Sequence, residues 1–412
     1  MPPKMRELKQ LKTLNIFIVD SKAKHGLAEL HDLQLGGRLH IKGLENVQSE
    51  HDAREANLMR KKLSYLYLSW KSDSNSDSLC ISPESVLEAL EPPPNLKNFG
   101  INGYRGSQFP GWLRNTSMFS SLVNVILVDC NNCEQIPPLG KLPHLESLYV
   151  YGMKDVKCID EDSYDGVEEK VAFKSLKELT LIELPKLERI VRDEGVEMLP
   201  LVSKVTIPCS PNMKLPLLQS VEVLKIEGLK SDNEGVASFP EEIFLSMRYV
   251  KHLTISSFPK LKVLPQELGT LSSVQELVID CCVELESLAE NVFQGLSSLR
   301  RLSIFRCVRL KSLSSVVEHL TSLESLDIFF CPELTTLPTN MNKLTSLHTV
   351  LFFAREDNGR VPEGLQCIPS LKTLMLVEVD SLPEWLGDMT SLEVLFIGLS
   401  PRIRSVQVAF ET

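Results

Sequence analysis

Near its start the sequence has no apolar stretch long enough to cross a bilayer. The longest there, Ile16 to Val19, falls far short of the ~20 residues a spanning helix needs. Nothing at Met1 joins a charged region, an apolar core and a cleavage site, so no secretory leader is expected. Positive charge is also scarce: 44 Lys and Arg face 54 Asp and Glu, a formal charge of −10. No extended Lys/Arg run offers a field to phosphate backbones, so nucleic acid is not an expected partner. A cytoplasmic or nuclear location without a membrane span follows. Catalytic spacings are absent as well. None of the eight His forms an H-x-x-x-H pair, and neither a G-x-S-x-G elbow nor a Cys/His constellation occurs. No enzyme activity, cofactor or resident metal is expected.

What is present is an ordinary globular composition, 43% apolar and 24% charged, which supplies a core and argues against wholesale disorder. There are ten cysteines, unevenly spaced, and without a secretion signal they read as reduced thiols. Cys130 and Cys133 form a Cys-x-x-Cys, a spacing shared by redox pairs and half zinc sites, but no second such pair completes a zinc site. The sequon Asn115-Thr116-Ser117 matters only in the secretory pathway and reads as chance.

The organising feature is a repeat. Segments of the form L-x-x-L-x-L/I start at 250 (VKHLTI), 274 (VQELVI), 299 (LRRLSI), 323 (LESLDI), 347 (LHTVLF), 371 (LKTLML) and 392 (LEVLFI), 21 to 25 residues apart. That is the leucine-rich-repeat period. Less evenly spaced hexads begin at 11, 36, 63, 96, 122, 145, 176, 202 and 221. One domain of about sixteen repeats is expected over 1–412, irregular in 1–249 and regular in 250–412. Positions one, four and six of each hexad point inward, which suits a short strand. No single unit buries its apolar side alone, so stacked neighbours are expected to form an α/β solenoid: a curved horseshoe with a parallel sheet on the concave face and loops or short helices on the convex face.

The full template is L-x-x-L-x-I-x-x-C-x-x-L-x-x-L-P, clearest from Leu323 to Pro338. Cys282, Cys307 and Cys331 occupy its ninth position, and Phe258 takes the same place one repeat earlier. Laid on this template, Cys130 falls at nine and Cys133 at twelve, so all five cysteines read as structural steps of the coil.

Position seven of three successive repeats is Phe305, Phe329 and Phe353, with Phe330 beside the middle one. In this register the rings line up on the concave face, about 5 Å apart from strand to strand. An exposed aromatic row suits a protein partner, although the rings could equally be stacking as sheet packing. Arg300, Arg301, Arg306 and Arg309 form a basic patch beside it, facing Glu324 and Asp327, and cross-strand pairing accounts for much of that charge.

Particular stretches go further: 35–70 (LGGRLHIKGLENVQSEHDAREANLMRKKLSYLYLSW), 109–113 (FPGWL), 130–159 (CNNCEQIPPLGKLPHLESLYVYGMKDVKCI) and 173–190 (FKSLKELTLIELPKLERI). In this order they resemble the leucine-rich-repeat region of plant intracellular nucleotide-binding immune receptors of the coiled-coil class. The resemblance covers essentially the whole chain. It implies a plant-defence module that restrains a nucleotide-binding switch and helps recognise a pathogen effector or a guarded host protein. The expected partners are therefore proteins, including the receptor's own nucleotide-binding domain. No G-x-x-x-x-G-K-[ST] phosphate loop is present, so the switch itself is not expected here.

Two insertions read as solvated loops: 71–78, rich in Ser and Asp, and 160–170, with six acids against one lysine and no calcium-loop spacing. Residues 49–63 have helical periodicity and are expected as a convex-side helix. Short flanks around the repeats read as a truncated or partial product. Two other readings stay open beside the immune module. A ubiquitin-ligase substrate adaptor would need an F-box-like segment, and none precedes Leu8; a secreted inhibitor of microbial enzymes would need a leader and Gly before Ile-Pro, where this chain has LPQELGTL and LPEWLGDM.

Overall fold

The computed structural model describes residues 4–20, 26–71, 81–161, 170–191, 195–210, 213–215, 218–229, 244, 247–313, 316, 319–354, 359–400 and 403. Most of the 71–78 insertion, the centre of the 160–170 acidic stretch and nearly all residues after Ser400 lie outside them. The chain divides into two compact units, Met1–Ser220 and Val221–Thr412.

Unit 1 contains β1 (Ile16–Ile18), β2 (Gly36–Lys42), β3 (Lys62–Ser69), β4 (Asn98–Asn102), β5 (Asn124–Val128), β6 (Ser147–Tyr151), β7 (Cys158–Asp160), β8 (Val171–Ala172), β9 (Glu178–Ile182), β10 (Arg189–Val191), β11 (Glu197–Met198) and β12 (Lys204–Pro208). Its main sheet runs β1-β2-β3-β4-β5-β6-β9-β12, and the pairs β7 with β10 and β8 with β11 form small parallel ladders outside it. Unit 2 contains β13 (Val223–Glu227), β14 (His252–Ser256), β15 (Glu276–Asp280), β16 (Arg301–Phe305), β17 (Ser325–Phe329), β18 (Thr349–Phe353), β19 (Thr373–Val377) and β20 (Val394–Gly398), parallel and side by side in chain order. Each unit is a leucine-rich-repeat solenoid.

The hexads explain the strands. In β16, Leu302 and Ile304 are 1% and 0% exposed, while Arg301 and Phe305 emerge on the other face. Burying a side chain of that size is worth about 1.5–3 kcal/mol, and each coil supplies several, so the stack holds together although no coil could alone.

The first hexad is out by one residue. Phe17 and Val19 are buried, whereas Ile16 and Ile18 are 44% and 48% exposed. β1 pairs with β2 as Ile16 to His40 and Ile18 to Lys42, so Ile16 takes an outward position. A one-residue slip inverts every side chain of a strand, and the larger Phe17 ring wins the inner face.

The helix expected over 49–63 is also broken. Ser49 caps α1 (Glu50–Glu55) by accepting the Asp52 N–H at 3.1 Å. Asn57 then turns left-handed at φ 49°, a short 3-10 turn covers Leu58–Arg60, and β3 begins at Lys62. A continuous helix would absorb residues that β3 needs to pair with β2, and Asn tolerates the left-handed turn better than most residues.

FPGWL has a packing reason. Trp112 meets Phe99 edge-on at 5.6 Å, and its indole N–H donates to the Leu87 carbonyl at 3.2 Å, on the helix α2 (Pro83–Ala89). Glu88 of α2 accepts the Gly111 N–H at 2.9 Å, tying consecutive coils together. No helix among the described residues is long and apolar enough to cross a membrane.

Candidate functional site

The phenylalanines of position seven form a continuous ladder. Register pairs Phe305 with Phe329 and Phe329 with Phe353. The first two rings stack at 4.7 Å and 18°, the next two at 5.8 Å and 26°. All three are half-buried. Because the stacked faces turn toward one another, the rings present mainly their edges to solvent. Phe330 tilts at 50° over Phe353, 4.8 Å away.

A recurrent turn places these rings. The residue after the strand, position eight, is left-handed in Asp129, Ser257, Cys281, Arg306, Phe330 and Glu378, at φ between 51° and 63°. Gly103 and Gly152 fill the same position at φ 71°. Position nine then returns inward, and its thiol reaches the carbonyl of position seven: Cys307 to Phe305 at 3.5 Å, Cys331 to Phe329 at 3.4 Å, Cys130 to Val128 at 3.5 Å. The cysteines thus hold the backbone beneath the half-buried rings. In the linear sequence this turn is signalled only where glycine takes the left-handed position eight, at Gly43, Gly103 and Gly152.

Chemically these thiols are quiet. Cys130, Cys133, Cys282 and Cys307 are each 0% exposed, and Cys331 is 4%. Burial pushes Cys130 well up and Cys133 and Cys331 up to about 12, while a thiol contact with Cys307, together with burial, raises Cys282. Thiolates are the reactive form, so the raised thiols pack rather than react; Cys307, which the Cys282 contact holds below the ordinary thiol value, is closed off by its complete burial instead. Cys133 donates to the Gly106 carbonyl of the preceding coil at 3.1 Å.

The arginines separate from one another. Arg300 pairs with Glu324 at 3.1 Å, as the cross-strand reading anticipates. Arg306 turns the other way, and its guanidinium meets the Asp280 carboxylate at 2.6, 2.8 and 2.9 Å. Arg309 goes to Glu284 at 2.5 Å. Asp327, expected to face arginine, instead accepts the Ser303 and Ser325 hydroxyls at 2.8 and 3.1 Å. Arg301 remains exposed on the sheet face, in register with Ser325. The ladder is therefore bordered mostly by neutralised charge, with the apolar Leu351, Met375 and Phe396 on adjacent outward positions.

Residues 27–153 match the family described as R13L1/DRL21 LRRs. The putative disease resistance protein RGA1 of Solanum bulbocastanum is 36% identical over 290 residues, 65% of this chain and 28% of that protein. Disease resistance protein RGA2 of the same plant is 38% identical over 267 residues, 63% of this chain and 27% of that protein. This is a leucine-rich-repeat chain related to plant disease resistance proteins. A further relative, the putative disease resistance RPP13-like protein 1 of Arabidopsis thaliana, is 30% identical over 311 residues, 70% of this chain and 28% of that protein. The leucine-rich-repeat chain thus spans just over a quarter of the length of the relatives it matches. Among solved structures, a chain of the TLR13–ssRNA13 complex aligns over 89% of this chain and 55% of its own length at a TM-score of 0.52 and 15% identity. A chain of the Drosophila Toll–Spatzle complex aligns over 94% and 50%, at 0.52 and 16%. At such identities the likeness concerns the fold alone.

Proposed function

We propose that this chain is the partner-recognition and autoinhibitory module of an intracellular plant immune receptor, working in the cytoplasm or nucleus, and that the ladder Phe305–Phe329–Phe353 is where a protein partner docks. Relatedness to disease resistance proteins supports the setting. The ladder itself is the observation that carries the docking site. Interior strands use their backbone groups on neighbouring coils, so an occupant of this face gains side-chain contacts rather than an added strand. Aromatic rows with apolar neighbours are the kind of surface on which a few residues carry most of the binding. The partners in this reading are a pathogen effector or a guarded host protein at the ladder, and the receptor's nucleotide-binding domain for restraint. The repeat scaffold serves interaction rather than catalysis.

Replacing Phe305, Phe329 and Phe353 together by Ser in the receptor context tests the site. The expected result is loss of partner binding with solubility retained. Unchanged binding would overturn it.

A further inference from the structure

The acidic balance of the whole chain conceals a basic surface in unit 1. Strands β1 to β5 contain no Asp or Glu at all. Their outward side carries Arg38 and Lys42 from β2 and Lys62 from β3, while Lys12 and Lys97 precede β1 and β4. The backbone brings these residues together: the Gly36 N–H donates to the Lys12 carbonyl at 2.8 Å, Lys62 to Leu35 at 2.9 Å and Lys97 to Ser64 at 3.0 Å. All five cations are exposed, and none is joined to a carboxylate among the described residues. The nearest acids in sequence lie at the margin or point elsewhere: Asp20 comes two residues after β1 and is not joined to any of the five cations, Glu45 accepts the Lys71 N–H at 2.9 Å, and Asp129 follows the end of β5.

Among the cations lies a cluster of rings. Tyr65 stacks near Tyr67 at 6.5 Å and 12°, the Arg38 guanidinium sits 5.6 Å over Tyr65, and His40 meets Tyr67 edge-on at 4.8 Å. Tyr67 lies down across the next strand. A Cβ on Gly100 would come within 2.2 Å of its ring, so only the missing side chain at 100 lets the ring adopt this pose. His40 is held by the Ser69 hydroxyl at 2.9 Å, and burial, with nearby Lys42, lowers its pKa, which favours the neutral ring.

We propose that this face of β2–β4 docks an acidic polypeptide segment, whose carboxylates meet Arg38, Lys42, Lys62 and Lys97 while its backbone runs along the edges of Tyr65 and Tyr67. Charge complementarity selects the class: a patch of one sign on a chain of net charge −10 attracts the opposite sign locally. Aromatics among cations also suit single-stranded nucleic acid, but that mode needs open ring faces on which bases stack. Here Tyr65 is covered by Arg38 and Tyr67, and Tyr67 lies against the sheet at Gly100. Hydroxyls, amides and cations are what remain to offer, and they suit carboxylates and peptide carbonyls. The surface belongs to unit 1 and is independent of the phenylalanine ladder in unit 2.

The test is fluorescence anisotropy of the full chain with three labelled probes: a Glu/Gly/Ser peptide, a length-matched Gln/Gly/Ser peptide and an oligothymidylate. The acidic peptide is expected to bind best, and to weaken as salt rises. The pair Arg38→Glu and Lys62→Glu, both exposed, should weaken it by about tenfold or more. Gly100→Val should weaken it by displacing Tyr67, with the thermal midpoint checked separately, and Phe329→Ser should leave it unchanged. Equal binding of the acidic and neutral peptides, oligothymidylate binding as tight as the acidic peptide, or indifference to charge reversal would each overturn the proposal.

Discussion

Arg306 grips the Asp280 carboxylate of the preceding coil through two nitrogens at 2.6–2.9 Å, while its own backbone sits in the left-handed region at φ 53°. Asp280 is in register with Phe305, so this ion pair closes one end of the ring ladder. A cation offered to partners by the sequence is in the fold a fastening between coils.

The two features of Arg306 oppose each other in mutants. A left-handed non-glycine residue costs about 1–2 kcal/mol, whereas an exposed ion pair contributes about 0.2–1 kcal/mol. Arg306→Ala loses the pair and keeps the strain; Arg306→Gly loses the pair and relieves it. Urea unfolding should rank Gly above Ala by about 1 kcal/mol. Equal stabilities would show that the turn carries no strain.

Coupling within the ladder follows its geometry. Phe305 and Phe329 stack directly, and Phe329 separates Phe305 from Phe353. Double-mutant cycles to Ala should give about 0.5–1.5 kcal/mol for Phe305 with Phe329 and nearly zero for Phe305 with Phe353. Appreciable coupling of the outer pair would contradict the stacked arrangement.

Lys61 is a pH probe. It is 5% exposed, and its ammonium donates to the Leu30 and Leu33 carbonyls at 2.7 and 2.9 Å. Burial lowers its pKa from 10.5 to about 8. Between those values the unfolded chain binds the proton more tightly than the fold does, so this group makes stability rise with pH across that window and adds no slope below it. The buried thiols, raised above their ordinary value, act in the opposite sense at alkaline pH, so the readout is the difference between wild type and Lys61→Met. The wild type should gain thermal midpoint relative to the variant as pH rises from about 8 towards 10.5, and a constant difference would contradict the assignment. The same variant removes two hydrogen bonds, but the Leu30 and Leu33 carbonyls keep the Leu33 and Leu35 N–H groups at 3.1 and 3.0 Å, so stability at neutral pH should fall by only about 1 kcal/mol.

Thiol accessibility separates the cysteines. Among the described residues Cys130, Cys133, Cys158, Cys209, Cys282, Cys307 and Cys331 are buried, whereas Cys281 and Cys367 are half-buried. Iodoacetamide with peptide mapping should label the latter two in the native protein, and the seven buried thiols only after denaturation. Rapid native labelling of Cys130 or Cys133 would restore the case for a reactive pair.

The repeat, the inward Leu and Ile of nearly every coil, and the strand on which each phenylalanine sits are all legible in the linear order of residues. Those features depend on local polarity and on side-chain alternation, and the spacing of 24 residues from Phe305 to Phe329 to Phe353 already states that the rings share a register position. The slip at Ile16 arose where Leu14, Ile16 and Phe17 offer two inward patterns, and ring volume together with pairing to β2 chose between them.

Which charges meet depends on how the coils stack. Arg306 had acids on both neighbouring strands, and the left-handed turn aimed it at Asp280 instead of Asp327. Lys12, Arg38, Lys62 and Lys97 form no run in the sequence, yet stacking brings consecutive coils within about 4.8 Å. Net charge sums over the chain, while electrostatic attraction decays over about a Debye length, ~8–10 Å. A chain of net charge −10 can therefore present a basic face that its linear order hides.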